Sequence, residues 1–582
     1  MVSAPRAHRR PPPGLAPVWT LVILGLTIVG CGVGEDISGR DAPLTVGATP
    51  TVGPITDDML FEGHRGDPSL WPIYGGDWAQ TRYSPLTEIH EGNVDRLRPA
   101  WIYQTGVMGT FANTPLVLGR EMYVTTPAEE GRQEVLRLDS ATGEVVWRVE
   151  LRAREVPGQE AIGDLHLPPD FGPNRGVAAY GDHVFLGTLN GTLLALDRET
   201  GEQRFEVETL SPRITQAPLV ARGRIVVGLS WVERGAVQAF DVETGEHEWT
   251  WRSIPTPEEG GWWGEWQETL PGREDFELGR DIAQERADSA RFADSWRSAG
   301  GNATMTPTFD PELGLVYVAT GGPDPTAFPP PHEPYPGDMR WTNSVCALSI
   351  ETGEQEWCYQ ILPRDIWGAS GPTPPILFEL EGEEEEIPAL GRFSGVGNLY
   401  VWDRRDGTLL LMSDNYIPVG ESVGDGSGPN LIPGGMAGTV WSPGAYSARA
   451  GLFFSTNQSV PGYFEPRDEG RDPHEAFGNV AAVDPRTGEV VWSQRTDRPL
   501  AGGALATAGG LVFAGRTSGW FDAYDADTGE LKWSFRTGAG CNAAPITYQI
   551  DGVQYVAIAC GGHGVLDPRG GNAIIAFSLP PS

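Results

Sequence analysis

A chain of 582 residues with a formal net charge of −36 and one lysine, Lys532, repels nucleic acid, so a polyanionic partner of that kind is excluded. Its 77 glycines, 50 prolines and 20 tryptophans suit turns and packed sheets, and helical periodicity is scarce. Length alone allows several domains of about 100 to 200 residues, unless the units are repeats that share a core.

The first thirty residues read as an export leader. Arg6, Arg9 and Arg10 precede an apolar stretch, Leu15 to Gly30, that is too short for a comfortable membrane span. Ile28-Val29-Gly30-Cys31 resembles the lipobox of bacterial lipoproteins. That resemblance makes Cys31 the lipidation site of an exported protein that meets the membrane only through its lipid and faces the periplasm or cell exterior. Residues 32–66, with their Gly, Asp, Thr and Pro, read as a flexible tether, and 67–582 as the folded domain.

A hairpin repeat dominates the rest. Asp139-Ser140-Ala141-Thr142-Gly143-Glu144 leads to Trp147, and like segments lead to Phe205, Trp249, Trp357, Trp492 and Trp533, with Ser349 replacing Asp in the fourth copy. A worn copy spans Asp403 to Thr408. Thr-Gly supplies a turn residue free to take positive φ, Asp bonds the turn backbone, and the aromatic is a packing plug at a fixed offset. Seven copies, with Leu97–Tyr103 pairing late with Ala573–Phe577, predict an all-β fold, an eight-bladed β-propeller with tryptophan-docking repeats closed by both termini. Spacings beyond the roughly 40 residues of a blade mark insertions. The longest is 257–298, with a short acidic helix expected over Asp281 to Trp296. The acidic run Glu381 to Glu386 reads as a solvated loop.

Export makes disulfides accessible. Cys346 and Cys358 lie on opposite arms of one hairpin, and Cys541 and Cys560 flank the Asp551-Gly552 turn, so each pair is a candidate bridge. No Cys-x-x-Cys-His occurs, which argues against covalent haem, and no Cys/His cluster has zinc spacing.

Four segments carry a family resemblance: Tyr74 to Leu86 (YGGDWAQTRYSPL), Asn174-Arg175-Gly176-Val177-Ala178, Ala506 to Phe513 (ATAGGLVF) and Val553-Gln554-Tyr555-Val556-Ala557. Over roughly residues 70–580 the chain resembles the quinoprotein dehydrogenases, eight-bladed propellers that oxidise alcohols or sugars in the periplasm with pyrroloquinoline quinone (PQQ) and Ca²⁺ or a lanthanide ion. The resemblance implies that Arg175, Thr215 and Ser230 contact PQQ and that Glu233 ligates the metal. Elsewhere the chain departs from the family. Pro169-Asp170 stands for its adjacent cysteines, Thr304 for the tryptophan under the cofactor and Gly322 for the metal-ligating asparagine. Trp367-Gly368 replaces Trp-Asp with its catalytic base, and Gly395 the cation at the quinone oxygens. Asp324 is the substitute metal ligand this leaves, and Asp365 the substitute base. The two expectations are therefore a PQQ- and metal-dependent dehydrogenase, or a non-catalytic propeller lipoprotein that binds a small molecule or a periplasmic protein. A funnel plugged by Trp231 or by the 257–298 insertion would favour the second.

Overall fold

A computed structural model describes residues 52–129, 131–152, 173–230, 232, 234–323, 335–365, 371–382, 385–417, 436–460, 476–563, 566 and 569–581. The leader with Cys31, Pro169-Asp170, Trp231, Glu233, Asp324 and Trp367-Gly368 lie outside these residues.

Eight antiparallel sheets of four main strands follow one another around a ring. Blade one holds Leu116–Leu118, Glu121–Thr125, Arg132–Asp139 and Val145–Arg152. Blades two to seven begin at Ala178, Leu219, Thr308, Ile376, Ala445 and Ala504 in turn. Blade eight is composite: Ile546–Ile550, Val553–Cys560 and Ala573–Ser578 come from the C-terminus, and Arg98–Gln104 adds the outer edge strand. The burial patterns show why these sequences settle so. Inner strands such as Leu116–Leu118 and Thr192–Asp197 are covered on both faces and fully buried, whereas the outer strand Val145–Arg152 alternates around a buried Trp147.

The repeat aromatics join each blade to the next. Trp101 Nε1 donates to Ser140 O at 3.0 Å, Trp147 to Arg198 O at 3.1 Å, Trp249 to Ile350 O at 3.0 Å, Trp492 to Ala526 O at 3.0 Å and Trp533 to Leu97 O at 3.2 Å. The rings of Trp101, Trp147, Trp249 and Trp492 each lie on the turn glycine of the following blade. A Cβ at Gly353, whose φ is +69°, would stand 2.5 Å from Trp249, and one at Gly143 2.6 Å from Trp101. The worn copy has Leu409–Met412 where an aromatic would follow, and Gly488 beyond it meets Ser413 and Leu411 instead of a ring.

Residues 52–66 correct the expected extent of the tether. Ile55 pairs with Gly181, Asp57–Glu62 is a helix capped by Thr56, and Leu60 and His64 are buried. The segment continues across the ring. Pro68 O accepts from Gln549 N, Leu70 pairs with Leu118, Trp78 Nε1 donates to Val220 O, and Phe309 N, Leu377 N and Tyr446 N donate to the carbonyls of Trp78, Ala79 and Thr81. Tyr83-Ser84 then pairs with Ala506-Thr507. Residues 55–84 thus touch all eight blades.

The 257–298 insertion differs from the expected single helix. It holds a hairpin, Thr269–Leu270 with Arg273–Glu277, a helix Ile282–Asp288 capped by Asp281, and 3₁₀ turns at Ser289–Phe292 and Ser295–Ser298. Leu270, Phe276 and Leu278 pack with Tyr359, Leu409 and Met412, on the outer strands of blades four and five, so this hairpin caps the rim.

Candidate functional site

At the start of blade two, Asn174 Oδ1 accepts from Thr125 Oγ1 at 2.8 Å and Gly176 N at 2.9 Å, while its Nδ2 donates to Gly187 O at 2.9 Å. Gly176 has φ +125°, and a Cβ there would reach Thr114 O at 2.8 Å, so glycine is required for the close approach. This turn fixes Arg175, whose backbone N donates to Thr215 O at 3.0 Å and whose Nη1 donates to the same carbonyl at 3.3 Å. Thr215 Oγ1 and Ser230 Oγ are 3.1 Å apart. The structure therefore brings Arg175, Thr215 and Ser230 together, all buried.

Arg175 is 6% exposed, and among the described residues no carboxylate pairs with it. Burial pulls its guanidinium below the usual range, with the neighbouring Tyr74 working against that shift. His563 is pushed down to about 4, first by burial and then by Arg175. Its ring is stacked with Trp441 at 6.4 Å, and Trp441 packs on Tyr74, Ala217 and Met305.

A second group begins two residues after Ser230. Val232 N donates to Asn302 Oδ1 at 3.2 Å, Gly321 N to Asn302 O at 2.8 Å, and Asn343 N to Gly321 O at 2.8 Å. Asn343 Nδ2 then donates to Asp365 Oδ2 at 2.9 Å. Asp365 is fully buried, and this succession links it to Val232, two residues from Ser230. Arg234 and Pro323 both pair with Gly300, so the described neighbours of Glu233 and Asp324 flank that glycine from either side. Arg392 and Gly395 line a cavity with Asn343.

The insertion anchors this side. Asp338, fully buried, accepts from the backbone N–H groups of Glu265, Trp266 and Gln267 at 2.7, 2.8 and 2.9 Å and from Arg280 at 2.6 Å. Glu285 bonds Arg280 at 2.8 Å and lies 3.2 Å from Arg364 Nε, and Arg364 N donates to Asp338 O at 3.1 Å. Arg364 is the residue before Asp365.

Sequence reasoning missed Asn343, Arg392, His563 and this Glu285 link. Arg392 left a signal: it is the one charge in Ala389-Leu390-Gly391-Arg392-Phe393, an apolar strand end. Asn343 and His563 left none: Asn343 meets Gly321 and Asp365 across the loops of its own blade, and His563 meets Trp441 and Arg175 of other blades.

Cys346 with Cys358 and Cys541 with Cys560 form disulfides, the first across adjacent strands of blade four. Among the described residues no three His, Cys, Asp or Glu side chains could hold a metal ion together.

The propeller is matched by comparison. Residues 71–430 and 476–556 match the family described as the glucose/ethanol/alcohol dehydrogenase β-propeller domain, PQQ. A quinohemoprotein alcohol dehydrogenase of Comamonas testosteroni is 32% identical over 548 residues, covering 85% of this chain and 73% of that protein. Methanol dehydrogenase [cytochrome c] subunit 1 of Paracoccus denitrificans is 30% identical over 575 residues, covering 88% and 86%. A solved europium-containing methanol dehydrogenase superposes with a TM-score of 0.72 at 27% identity, covering 90% of this chain and all of that one. Fold and sequence thus define a quinoprotein-type propeller. The chain belongs to the PQQ-dependent dehydrogenase family.

The residues fit PQQ unevenly. A dry guanidinium beside two hydroxyls suits its carboxylates. At Thr304, in place of the stacking tryptophan, Oγ1 is buried with no hydrogen-bond partner among the described residues. Gly322 and Gly395 bring no side chain to the metal or the quinone.

Proposed function

We propose that this protein binds PQQ through Arg175, Thr215 and Ser230 and oxidises an alcohol or sugar, anchored through Cys31 on the outer side of a membrane. The observation that carries the reading is Arg175. Arg82 is buried without a carboxylate but donates to three carbonyls, whereas the guanidinium of Arg175 has the Thr215 carbonyl alone among the described residues, so an anion would complete it, and PQQ brings three carboxylates. When bound, PQQ supplies the two-electron acceptor. Arg175 holds and orients its acidic edge, with Thr215 and Ser230 adding hydroxyl contacts. Asp365, held at Oδ2 by Asn343, is the base that takes the substrate hydroxyl proton. Glu233 and Asp324 are the carboxylates proposed for Ca²⁺ or a lanthanide, and no step is derived through that ion. Two disulfides accord with an oxidising compartment, and the acidic surface leaves small molecules or a periplasmic protein as partners.

Thr304, Gly322 and Gly395 favour a second reading, a ligand-binding propeller without turnover. One experiment separates the two. Membranes from expressing cells supplied with PQQ and Ca²⁺ or La³⁺ are assayed for dye reduction with primary alcohols and aldoses. The proposal expects activity that falls roughly 100-fold or more in Asp365→Asn and moves to the soluble fraction in Cys31→Ser. Bound PQQ with no dye reduction would leave the second reading in place, and absence of both activity and binding rejects PQQ altogether.

A further inference from the structure

Residues 61–83 and blades four to six enclose a cavity of about 530 Å³, none of whose lining residues belongs to the Arg175 group. Arg175 and Thr215 precede the first strands of blades two and three, Ala178–Tyr180 and Leu219–Ala221, and Ser230 follows the second strand Arg224–Gly228. The cavity lies at the other strand ends. Phe309 and Asp310 end the first strand of blade four, Glu386 opens the second strand of blade five, and Ala448 follows the first strand of blade six, Ala445–Ser447. In a ring of like-wound blades the ends of the first strands share one face, so this cavity opens opposite the Arg175 group.

Its walls are aromatic. Trp78 and Phe309 meet edge to face at 4.8 Å, Phe378 and Tyr446 lie 5.0 Å apart, and Phe61, 45% exposed, has its ring 6.3 Å from that of Trp78. Both the volume and the lining are those of small-molecule sites, which span about 300 to 1,000 Å³ and are mostly apolar.

Its charge is one-sided. Arg404 is shared by Asp310 at 2.7 Å, Glu379 at 2.9 Å and Glu312 at 3.5 Å, and Glu386 adds a fourth carboxylate to the lining. The other cation of the described lining, Arg65, lies 3.6 Å from Asp77, which is outside the cavity. Nearby, Arg449 is bound to Asp527 and Arg486 to Asp484. The Tyr446 phenol senses this field: burial pushes it up first, Asp484, Glu379 and Glu386 add to the push, and Arg486 opposes it. Glu312, Glu379 and Glu386 all reach solvent at the mouth. Four carboxylates around one guanidinium disfavour an anion, and aromatic walls offer a bare metal ion no ligands. Aromatic faces beside carboxylates suit a cation that carries an apolar body.

We propose that this cavity is a second ligand site, one that takes a small organic ammonium ion, with the apolar body among Trp78, Phe309, Phe378 and Tyr446 and the ammonium group at Glu379 and Glu386. It is independent of PQQ binding.

Calorimetric titration of the full-length protein with phenethylammonium, 2-phenylethanol and 3-phenylpropionate tests this, because the three share a phenyl body and differ in charge. Salt at about 0.15 M screens the general attraction of the acidic surface. Two variants accompany the wild type: Glu386→Gln removes a charge at the mouth, and Ala448→Trp fills the mouth from an exposed position without changing charge. The expected result is saturable one-to-one binding of phenethylammonium, about tenfold or more weaker for the alcohol and absent for the carboxylate. Affinity for phenethylammonium falls about threefold in Glu386→Gln and about tenfold or more in Ala448→Trp, with melting temperatures close to wild type. Absence of saturable binding to the wild type overturns the proposal, as does equal binding of the alcohol. Binding that Ala448→Trp leaves unchanged places the cation elsewhere on the acidic surface and also overturns it. Should Ala448→Trp melt well below wild type, Glu386→Gln decides, and unchanged affinity there overturns the proposal.

Discussion

Taking a guanidinium out of water costs several kcal/mol, and proteins usually offset that with a carboxylate. Arg198 and Arg280 follow that rule, whereas Arg175 and Arg392 face the interior with hydroxyls and carbonyls alone among the described residues. Neutral histidines share that interior. Nδ1 of His64 must donate to Leu70 O, leaving Nε2 to accept from the Ser84 hydroxyl, and burial holds its ring down at about 4. His563 is likewise held at about 4. Both folded values lie below the unfolded value of about 6.5, so the unfolded chain binds more protons between those limits and stability rises with pH there. Melting temperature is therefore expected to fall as pH drops from 7 toward 4, and the deficit or gain of His563→Asn relative to wild type should shift in the variant's favour over the same range. A gap between the two that stays constant from pH 7 to pH 4 would contradict the buried neutral ring.

At the scale of elements, the hairpin repeat was legible because turn chemistry and the docked aromatic sit within one short segment. Asp-x-x-Thr-Gly-Glu-x-x-Trp specifies both the positive-φ glycine and the ring that covers the next blade's glycine. The insertion was less legible. Its helix ends at Asp288, and its role depends on Asp338 and Arg364, which come from beyond the insertion. Glu285, 7% exposed, ties the helix to Arg364 and so to the turn bearing Asp365. Since a misplacement of about 1 Å can cost about 100-fold in rate, Glu285→Gln is expected to lower kcat up to ~100-fold while leaving the dissociation constant for PQQ unchanged. Steady-state kinetics beside a binding titration would show this split, and an unchanged kcat would remove the link between the insertion and Asp365.

At the scale of the molecule, ring closure has two components. The composite eighth blade was readable from Leu97–Tyr103 and Ala573–Phe577, because these strands at the two ends supply the unit that seven hairpin copies lack. The second component, residues 55–84, was read partly as tether, since its hydrogen bonds go to carbonyls and amides of distant blades and leave no periodic pattern. The same asymmetry governs the site. Arg175, Thr215 and Ser230 were found because the resemblance to the quinoprotein dehydrogenases implies them, while Asn343 and Arg392 become visible only once blades four and five are packed. We propose that the pole at Arg175 is an anion site completed by PQQ. Isothermal titration of PQQ into wild-type protein and Arg175→Gln tests it most directly. The account predicts saturable one-to-one binding that weakens by about tenfold or more in the variant; wild-type binding that Arg175→Gln leaves unchanged, or no binding in either, would contradict it.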